Sequence, residues 1–140
     1  QVKRYLGKLS GPMLDRIDLF SEVPPLEFEN LADRSPGEPS AAIRARVTKA
    51  RERQSKRFGP DGPHCNAAMG QAEIRRFCAL DDEGQALMKG AYEHMGLTAR
   101  SYDRILRVAR TIADLDESEN IQTHHLAEAI QYRETEYFSV

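Results

Sequence analysis

The chain has 140 residues, of which 40% are hydrophobic and 30% are charged, and its formal net charge is −2. This composition is ordinary for a globular domain and excludes a low-complexity protein. The two cysteines, Cys65 and Cys78, give no disulfide framework, so we expect a reducing, cytoplasmic setting. No stretch has the apolar length of a membrane-spanning helix, and no membrane partner is expected.

Charge is distributed unevenly along the chain. Residues 39–58 contain seven Lys or Arg against one Glu, whereas residues 116–140 contain one Arg against six acids. A protein with this segregation can bind an anion on one side although its net charge is slightly negative.

The first predicted elements lie within residues 1–26. Ser10-Gly11-Pro12 predicts a short helical turn, with Ser10 as its N-cap. Residues 17–23 alternate apolar and polar side chains before two prolines, which predicts a strand. Because one strand cannot make a sheet, we expect its partners upstream of Gln1. The chain is therefore interpreted as part of a longer protein.

Residues 27–39 are acidic and Pro-rich and predict a linker, and residues 40–58 predict a basic helix. The apolar stripe of this helix is narrow and consists of Ile43, Val47 and Ala50. Four cations share one of its faces: Arg46, Lys49, Arg53 and Lys56. A solvated surface helix is the simpler interpretation, and contact with nucleic-acid phosphates is the alternative. No aromatic residue is interleaved with these cations, so base stacking is not indicated.

Short helices are predicted at 72–79, after Asp81, and from Thr123 to residue 133, with Asp81 and Thr123 as N-caps. Residues 134–140 have no pattern and predict a frayed tail. His124 and His125 are interpreted as exposed helix-start residues. The spacing of His and Cys suits no zinc site, so no metal is expected.

The longest amphipathic pattern covers residues 96–115, with Thr98 as the predicted N-cap. One apolar stripe contains Tyr102, Ile105, Leu106, Ala109, Ile112 and Ala113. Three arginines, Arg100, Arg104 and Arg107, fall on the other side, and Asp103 is spaced for a helical ion pair with Arg107. A solvated arginine face is one interpretation. However, Arg100 occupies the first turn, where the helix dipole favours negative charge, and this indicates a partner outside the helix.

Residues 97–115 read LTARSYDRILRVARTIADL. This stretch resembles the pattern L-S-A-R-x-Y-x-R-I-L-x-V-A-R-T-I-A-D-L in the C-terminal domain of the bacterial Mg-chelatase-like AAA+ ATPases called ComM or YifB. The resemblance extends from Tyr5 to Arg133. Shorter matches are ARERQ at 50–54, Asn66-Ala67, HLAEAIQYR at 125–133 and SGPMLDRIDLF at 10–20. Phe20 stands where the family has His, so any role of that histidine is not carried over.

The resemblance implies a mostly α-helical, AAA+ lid-type bundle of four to five helices at 40–133, preceded by one orphan strand of the ATPase core. It also implies a homo-hexameric ring that uses ATP and Mg²⁺; the family includes a DNA branch-migration motor of natural transformation. By the same resemblance, Arg16 is the arginine finger that reaches a neighbouring subunit's ATP in trans. Arg100 is the sensor-two arginine that contacts the nucleotide in cis, with Arg104 as a second nucleotide-binding candidate. For Arg104 and Arg107, ion pairs that face the core are an equal alternative.

The sequence contains no phosphate-binding loop of the form G-x-x-x-x-G-K-[ST]. These 140 residues are therefore expected to be inactive alone and to hold no cofactor. Their expected partners are the ATPase core of the same polypeptide and neighbouring subunits, with DNA as a further candidate. Three alternatives stay open: the lid of a true magnesium-chelatase motor subunit, a stand-alone helical nucleic-acid-binding module, and an oligomerisation module.

Overall fold

The computed structural model describes residues 10–28 and 35–133. Within these ranges it contains six α-helices and one 3₁₀ turn, Asn66–Ala68. The helices are α1 (Gly11–Leu14), α2 (Ser40–Phe58), α3 (Gln71–Phe77), α4 (Asp82–Met95), α5 (Ala99–Leu115) and α6 (Thr123–Gln131). The prediction of a mostly α-helical bundle is confirmed. The predicted frayed tail at 134–140 lies outside the described residues, as do parts of the predicted core segment and linker.

Side-chain caps decide where α4 and α5 begin. The carboxylate of Asp81 accepts from the backbone N–H of Gly84 at 2.7 Å, and the hydroxyl of Thr98 accepts from the N–H of Ser101 at 3.2 Å. Each bond satisfies a donor that the first helical turn leaves free. Gly96 ends α4 with a φ of 59°, a left-handed conformation that glycine adopts without steric cost. Both predicted caps are confirmed.

The start of α6 differs from the prediction. Gln122, not Thr123, is the N-cap, and Thr123 is the first helical residue. The backbone N–H of Gln122 donates to Nδ1 of His125 at 2.9 Å, so an imidazole three residues later closes the helix start. The predicted N-cap was wrong because the prediction assumed that the hydroxyl of Thr123, and not an imidazole, would satisfy the free backbone donors at the helix start.

The central position of α5 in the bundle follows from its apolar stripe. It packs against α2, α3, α6 and the 3₁₀ turn, and α6 also packs against α4. Ile105, Ala109 and Ala113 are fully buried, as the periodicity predicts. They meet side chains from the other elements, including Met69, Ile74, Cys78, Met88, Ile121, Leu126, Ala129 and Ile130. Burial of this apolar surface supplies the main driving force for folding.

Only the second half of α2 belongs to the core. All residues from 40 to 49 are exposed, including Ile43 and Val47 of the predicted stripe. Ala50 and Gln54 are the buried residues of this helix. The narrow stripe therefore contributes to burial only where α2 reaches α5.

A buried polar cluster joins α2, the 3₁₀ turn and α5. Asp114 is fully buried and accepts from Arg57, with one bond of 2.9 Å, and from the side-chain amide of Asn66 at 2.8 Å. Arg110 pairs with the same carboxylate at 3.2 Å. Asn66 also receives a bond from Arg57 at 3.1 Å, and its backbone N–H donates to Gln54 at 3.0 Å. We call these five residues the Asp114 cluster.

The strand predicted at 17–23 forms no β-pairing within the described ranges. The backbone N–H of Phe20 instead donates to the carbonyl of Tyr132 at 2.7 Å. Pairing of this segment with strands upstream of Gln1 stays a prediction. Among the described residues, no helix combines the length and apolarity needed to cross a bilayer.

Replacing Asp114 by Asn should strongly destabilise the fold. The substitution keeps the size of the side chain but leaves the guanidinium groups of Arg57 and Arg110 without their buried counter-charge. We expect the free energy of unfolding, measured by urea denaturation, to fall by about 3 kcal/mol. Glu38→Gln is the matched control because it removes the carboxylate of an exposed ion pair with Arg46, and it should leave stability nearly unchanged. Equal losses in both variants would contradict the role assigned to the cluster.

The two free cysteines should differ in reactivity. Burial raises the pKa of the Cys78 thiol to about 11. Burial also acts to raise the pKa of Cys65, but hydrogen bonds from Arg51 and from backbone N–H groups outweigh it and lower that pKa. Because the thiolate is the nucleophile, iodoacetamide should modify Cys65 in the folded chain and Cys78 only after unfolding. Peptide mass spectrometry measures both sites, with urea-unfolded protein as the control; equal labelling of the folded chain would refute the prediction.

Candidate functional site

The segment after α1 is attached to the first turn of α5. The carboxylate of Asp15 accepts from the hydroxyl of Ser101 at 3.1 Å and from the hydroxyl of Thr98 at 3.3 Å. Thr98 is the N-cap of α5, and Ser101 lies in its first turn. The residue before Arg16 is thus bonded to the helical turn that carries Arg100, although 86 positions separate Asp15 from Ser101.

Further contacts hold the same segment against the ends of α5 and α6. Asp18 forms an ion pair with Arg104. Arg133 donates to the carbonyl of Ile17 and to the hydroxyl of Ser101, the latter at 3.4 Å. Its guanidinium lies 5.3 Å from the centre of the Phe20 ring, a cation–π distance. We call Asp15, Asp18, Ser101, Arg104 and Arg133 the junction.

Charges within the junction compensate one another. Burial lowers the pKa of Arg133, whereas Asp15 and Asp18 act to raise it and Arg104 acts to lower it. Two carboxylates therefore face two guanidinium groups. The junction holds the segment in place without leaving a net charge of its own.

Arg16 and Arg100 do not take part in this charge compensation. Both residues are exposed. In the part of the chain that the structure describes, neither makes an ion pair or a side-chain hydrogen bond. The structure thus brings together the segments that carry these two predicted residues and leaves both cations available to an external anion.

The other arginines of α5 have partners. Arg104, whose side chain is 19% exposed, forms an ion pair with Asp18. Arg107 donates to the carbonyl of Met69 at 2.7 and 3.2 Å, and Asp103 accepts from Gln71. The predicted ion pair between Asp103 and Arg107 is therefore wrong. Arg107 contacts a carbonyl of the loop before α3, and Asp103 contacts a side chain of α3. Helical spacing within α5 cannot reveal such contacts.

The basic face of α2 divides into two halves. Arg46 is paired with Glu38, and Lys49 with Glu117 at 3.3 Å. Arg53 and Lys56 make no ion pair within the described residues. Both pairs of the first half are exposed and of little energetic weight, so nucleic-acid contact through all four cations stays a prediction.

Asp116, His124 and His125 bring three metal-ligand atoms within 4.8 Å of one another. His125 is buried, which contradicts its predicted exposure, whereas His124 is exposed as predicted. Because Nδ1 of His125 accepts from Gln122, the neutral ring carries its proton on Nε2 and donates it to Asp116 at 2.8 Å. Hydrogen bonds from His125 and His124 lower the pKa of Asp116. Both ring nitrogens of His125 are occupied, so the group closes a helix start and does not suit a metal.

Sequence reasoning missed four members of the junction: Asp15, Asp18, Ser101 and Arg133. A signal existed for Asp15, Asp18 and Arg133, because all three belong to segments that match the family pattern. Ser101 gave none, since the pattern accepts any residue at its position.

Two protein families match the chain. The family described as magnesium chelatase, subunit ChlI C-terminal, matches residues 37–133, and magnesium chelatase, subunit ChlI, matches residues 1–31. The chain is 46% identical over 135 residues to the uncharacterized protein YifB of Escherichia coli K12. It is 46% identical over 136 residues to the competence protein ComM of Haemophilus influenzae, and 40% identical over 134 residues to YifB of Salmonella typhimurium.

These alignments cover 95% of this chain but 26% of the length of each relative. The chain therefore corresponds to about a quarter of the curated relatives that it matches. The family match over residues 37–133 coincides with the part of the fold that forms the bundle. The chain belongs to the magnesium chelatase ChlI C-terminal family, as a lid domain of the ComM and YifB type.

Proposed function

We propose that this chain supplies two arginines to ATP hydrolysis by a Mg-chelatase-like AAA+ ATPase of the relatives' length. The observation that carries the proposal is the contrast at the junction. Asp15, Ser101 and Arg104 are all bonded, whereas the adjacent Arg16 and Arg100 are exposed and free of partners within the described residues. A firmly held backbone that presents unpaired guanidinium groups suits the binding of an anion.

Phosphoryl transfer explains why arginine is required at both positions. The guanidinium group is permanently charged, and its rigid fork of donors matches phosphate oxygens. A cation that is already in place stabilises the charge that develops in the transition state. The bonds of Asp15 to Thr98 and Ser101 support such preorganisation, because they hold the residue before Arg16 and residues on both sides of Arg100.

The two arginines have different roles in the proposal. Arg16 acts in trans on the nucleotide of a neighbouring subunit in a hexameric ring, and Arg100 acts in cis on the nucleotide of its own subunit. Loss of the contact at Arg100 after hydrolysis then lets the bundle rotate about the linker at 27–39. ATP with Mg²⁺ is the substrate, and other segments of the polypeptide hold it. The proposal takes DNA in the cytoplasm as the molecule that the motor remodels, because the family that the sequence resembles includes a DNA branch-migration motor. One of the relatives at 46% identity is a competence protein.

Removing either arginine should strongly reduce ATP turnover in a polypeptide of the relatives' length that contains this chain. We expect Arg16→Ala to lower the ATPase rate about a thousandfold and Arg100→Ala about a hundredfold. Both side chains are exposed, so the bundle should stay folded. Arg75→Ala, at an exposed arginine of α3, is the matched control and should retain normal turnover. If Arg100→Ala also retains normal turnover, α5 is only a core helix and the proposal fails.

Mixing experiments separate action in trans from action in cis. Arg16→Ala protein mixed with a variant that has a defective phosphate-binding loop should regain some activity, because some interfaces pair an intact site with an intact finger. The same mixture made with Arg100→Ala should regain none, because both lesions then affect a subunit's own nucleotide. An Arg16→Ala mixture that forms hexamers but stays inactive refutes the finger. Recovery in the Arg100→Ala mixture would assign Arg100 to the neighbouring site as well.

Arg133 should act as a positioning residue for Arg16. Arg133→Ala removes the bond to the carbonyl of Ile17 and the contact with Phe20. We expect turnover to fall by about tenfold, and the double variant with Arg16→Ala to be no slower than Arg16→Ala alone. Amide hydrogen exchange at Phe20 should accelerate in Arg133→Ala, because its bond to Tyr132 is weakened. Independent, additive losses in turnover would contradict this role.

A further inference from the structure

A second concentration of positive charge lies toward the other end of α5. A cavity of about 590 Å³ is bounded by the second half of α2, the end of α3, α5 and the turn at 119–121. Its wall includes Arg53, Lys56, Arg57, Arg76, Phe77 and Arg110. At about 1.5 Å per helical residue, Arg110 lies about 15 Å along α5 from Arg100. We call this site the basic cavity.

The charges of the basic cavity are only partly neutralised. Its lining contains five basic side chains and one carboxylate, that of Glu119. Arg57 and Arg110 are paired with Asp114. Within the described residues, the other three cations, Arg53, Lys56 and Arg76, form no ion pair.

The lack of ion pairs for these three cations differs from the pairing of the cations on the rest of α2. There, Arg46 and Lys49 each meet a carboxylate of the described chain. At the cavity, the unpaired cations of α2 and α3 line one concave site and repel one another unless an anion lies between them. The Nε atom of Arg53 is shielded from solvent and has no acceptor among the described residues, which is a further cost that an anion bound to this guanidinium would offset.

We infer that the basic cavity binds phosphate groups. Several cations around one concave site favour an anion with more than one charge and several acceptor oxygens, which a phosphate provides and a single carboxylate does not. The volume of about 590 Å³ also accommodates more than the phosphate itself. Phe77 supplies an apolar wall beside the cations, a juxtaposition that the sequence of α2 alone did not reveal. A nucleic-acid backbone and a free phosphate compound share this chemistry.

The inference is independent of the proposed function, because Arg16 and Arg100 are not part of the cavity. It is tested on the 140-residue chain with two probes: inorganic pyrophosphate by calorimetry and labelled oligothymidylate by fluorescence anisotropy. The cavity variant combines Arg53→Gln, Lys56→Gln and Arg76→Gln. The control variant combines Arg44→Gln, Arg75→Gln and Lys89→Gln, which remove the same charge from exposed positions outside the cavity. Arg57 and Arg110 are left intact because they hold Asp114.

We expect the chain to bind at least one probe, and the cavity variant to bind it at least about tenfold more weakly. The control variant should change affinity by less than about twofold. For the oligonucleotide, the salt dependence should fall by about two units of slope, since three phosphate contacts are lost. Binding of pyrophosphate alone assigns the site to free phosphate compounds, and binding of the oligonucleotide assigns it to a nucleic-acid backbone.

Three results would overturn the inference: no binding of either probe, equal losses in the two variants, or tighter binding of a polyglutamate peptide than of both probes. Circular dichroism of each variant shows whether the helices are retained. None of the substituted positions is Arg16, Arg100 or a member of the junction. A negative result in the binding experiment therefore does not contradict the ATPase proposal. A negative result for the ATPase proposal likewise leaves the inference of phosphate binding at the basic cavity unaffected.

Discussion

A fully buried carboxylate determines how α2, the 3₁₀ turn and α5 are arranged in this bundle. Asp114 on α5 receives Arg57 from α2 and Asn66 from the 3₁₀ turn, and each of these groups is itself bonded within the cluster. A buried charge is tolerated only while its partners stay in place, so the cluster fixes the three elements relative to one another. Gln54, Asn66 and Asp114 also belong to segments that match the family pattern. The residues of these segments therefore stabilise the fold directly, whatever they contribute to function.

The two candidate surfaces both depend on α5. Its first turn receives Asp15 and carries Arg100, whereas its second half supplies Arg110 to the basic cavity. The apolar stripe between them is buried, so the helix is held rigidly along its length. Such an element keeps the two surfaces at a constant separation. If the bundle rotates in the proposed ATPase cycle, the basic cavity moves as one body with the junction.

The partners of each cation distinguish paired from unpaired positive charge. Arg57 and Arg110 meet the buried carboxylate of Asp114, and Arg104 meets the exposed carboxylate of Asp18. Arg16 and Arg100 meet none within the described residues, and the same holds for the unpaired cations of the basic cavity. Neither the number of charged residues nor the net charge of −2 shows which cations are paired. The pairing becomes visible only when each side chain is assigned its neighbours.

Helical periodicity and capping chemistry were sufficient to predict the bounds of α2, the caps of α4 and α5 and the buried stripe of α5, whereas the fold class was implied by the family resemblance. These features depend on interactions within a few residues, and such interactions can be read from neighbouring positions. The bond of Ser101 to Asp15, the displacement of the expected Asp103–Arg107 pair and the convergence of Arg76 with the cations of α2 were decided by the tertiary structure. Each joins groups far apart in the sequence, and their distance is set by how the helices pack against α5.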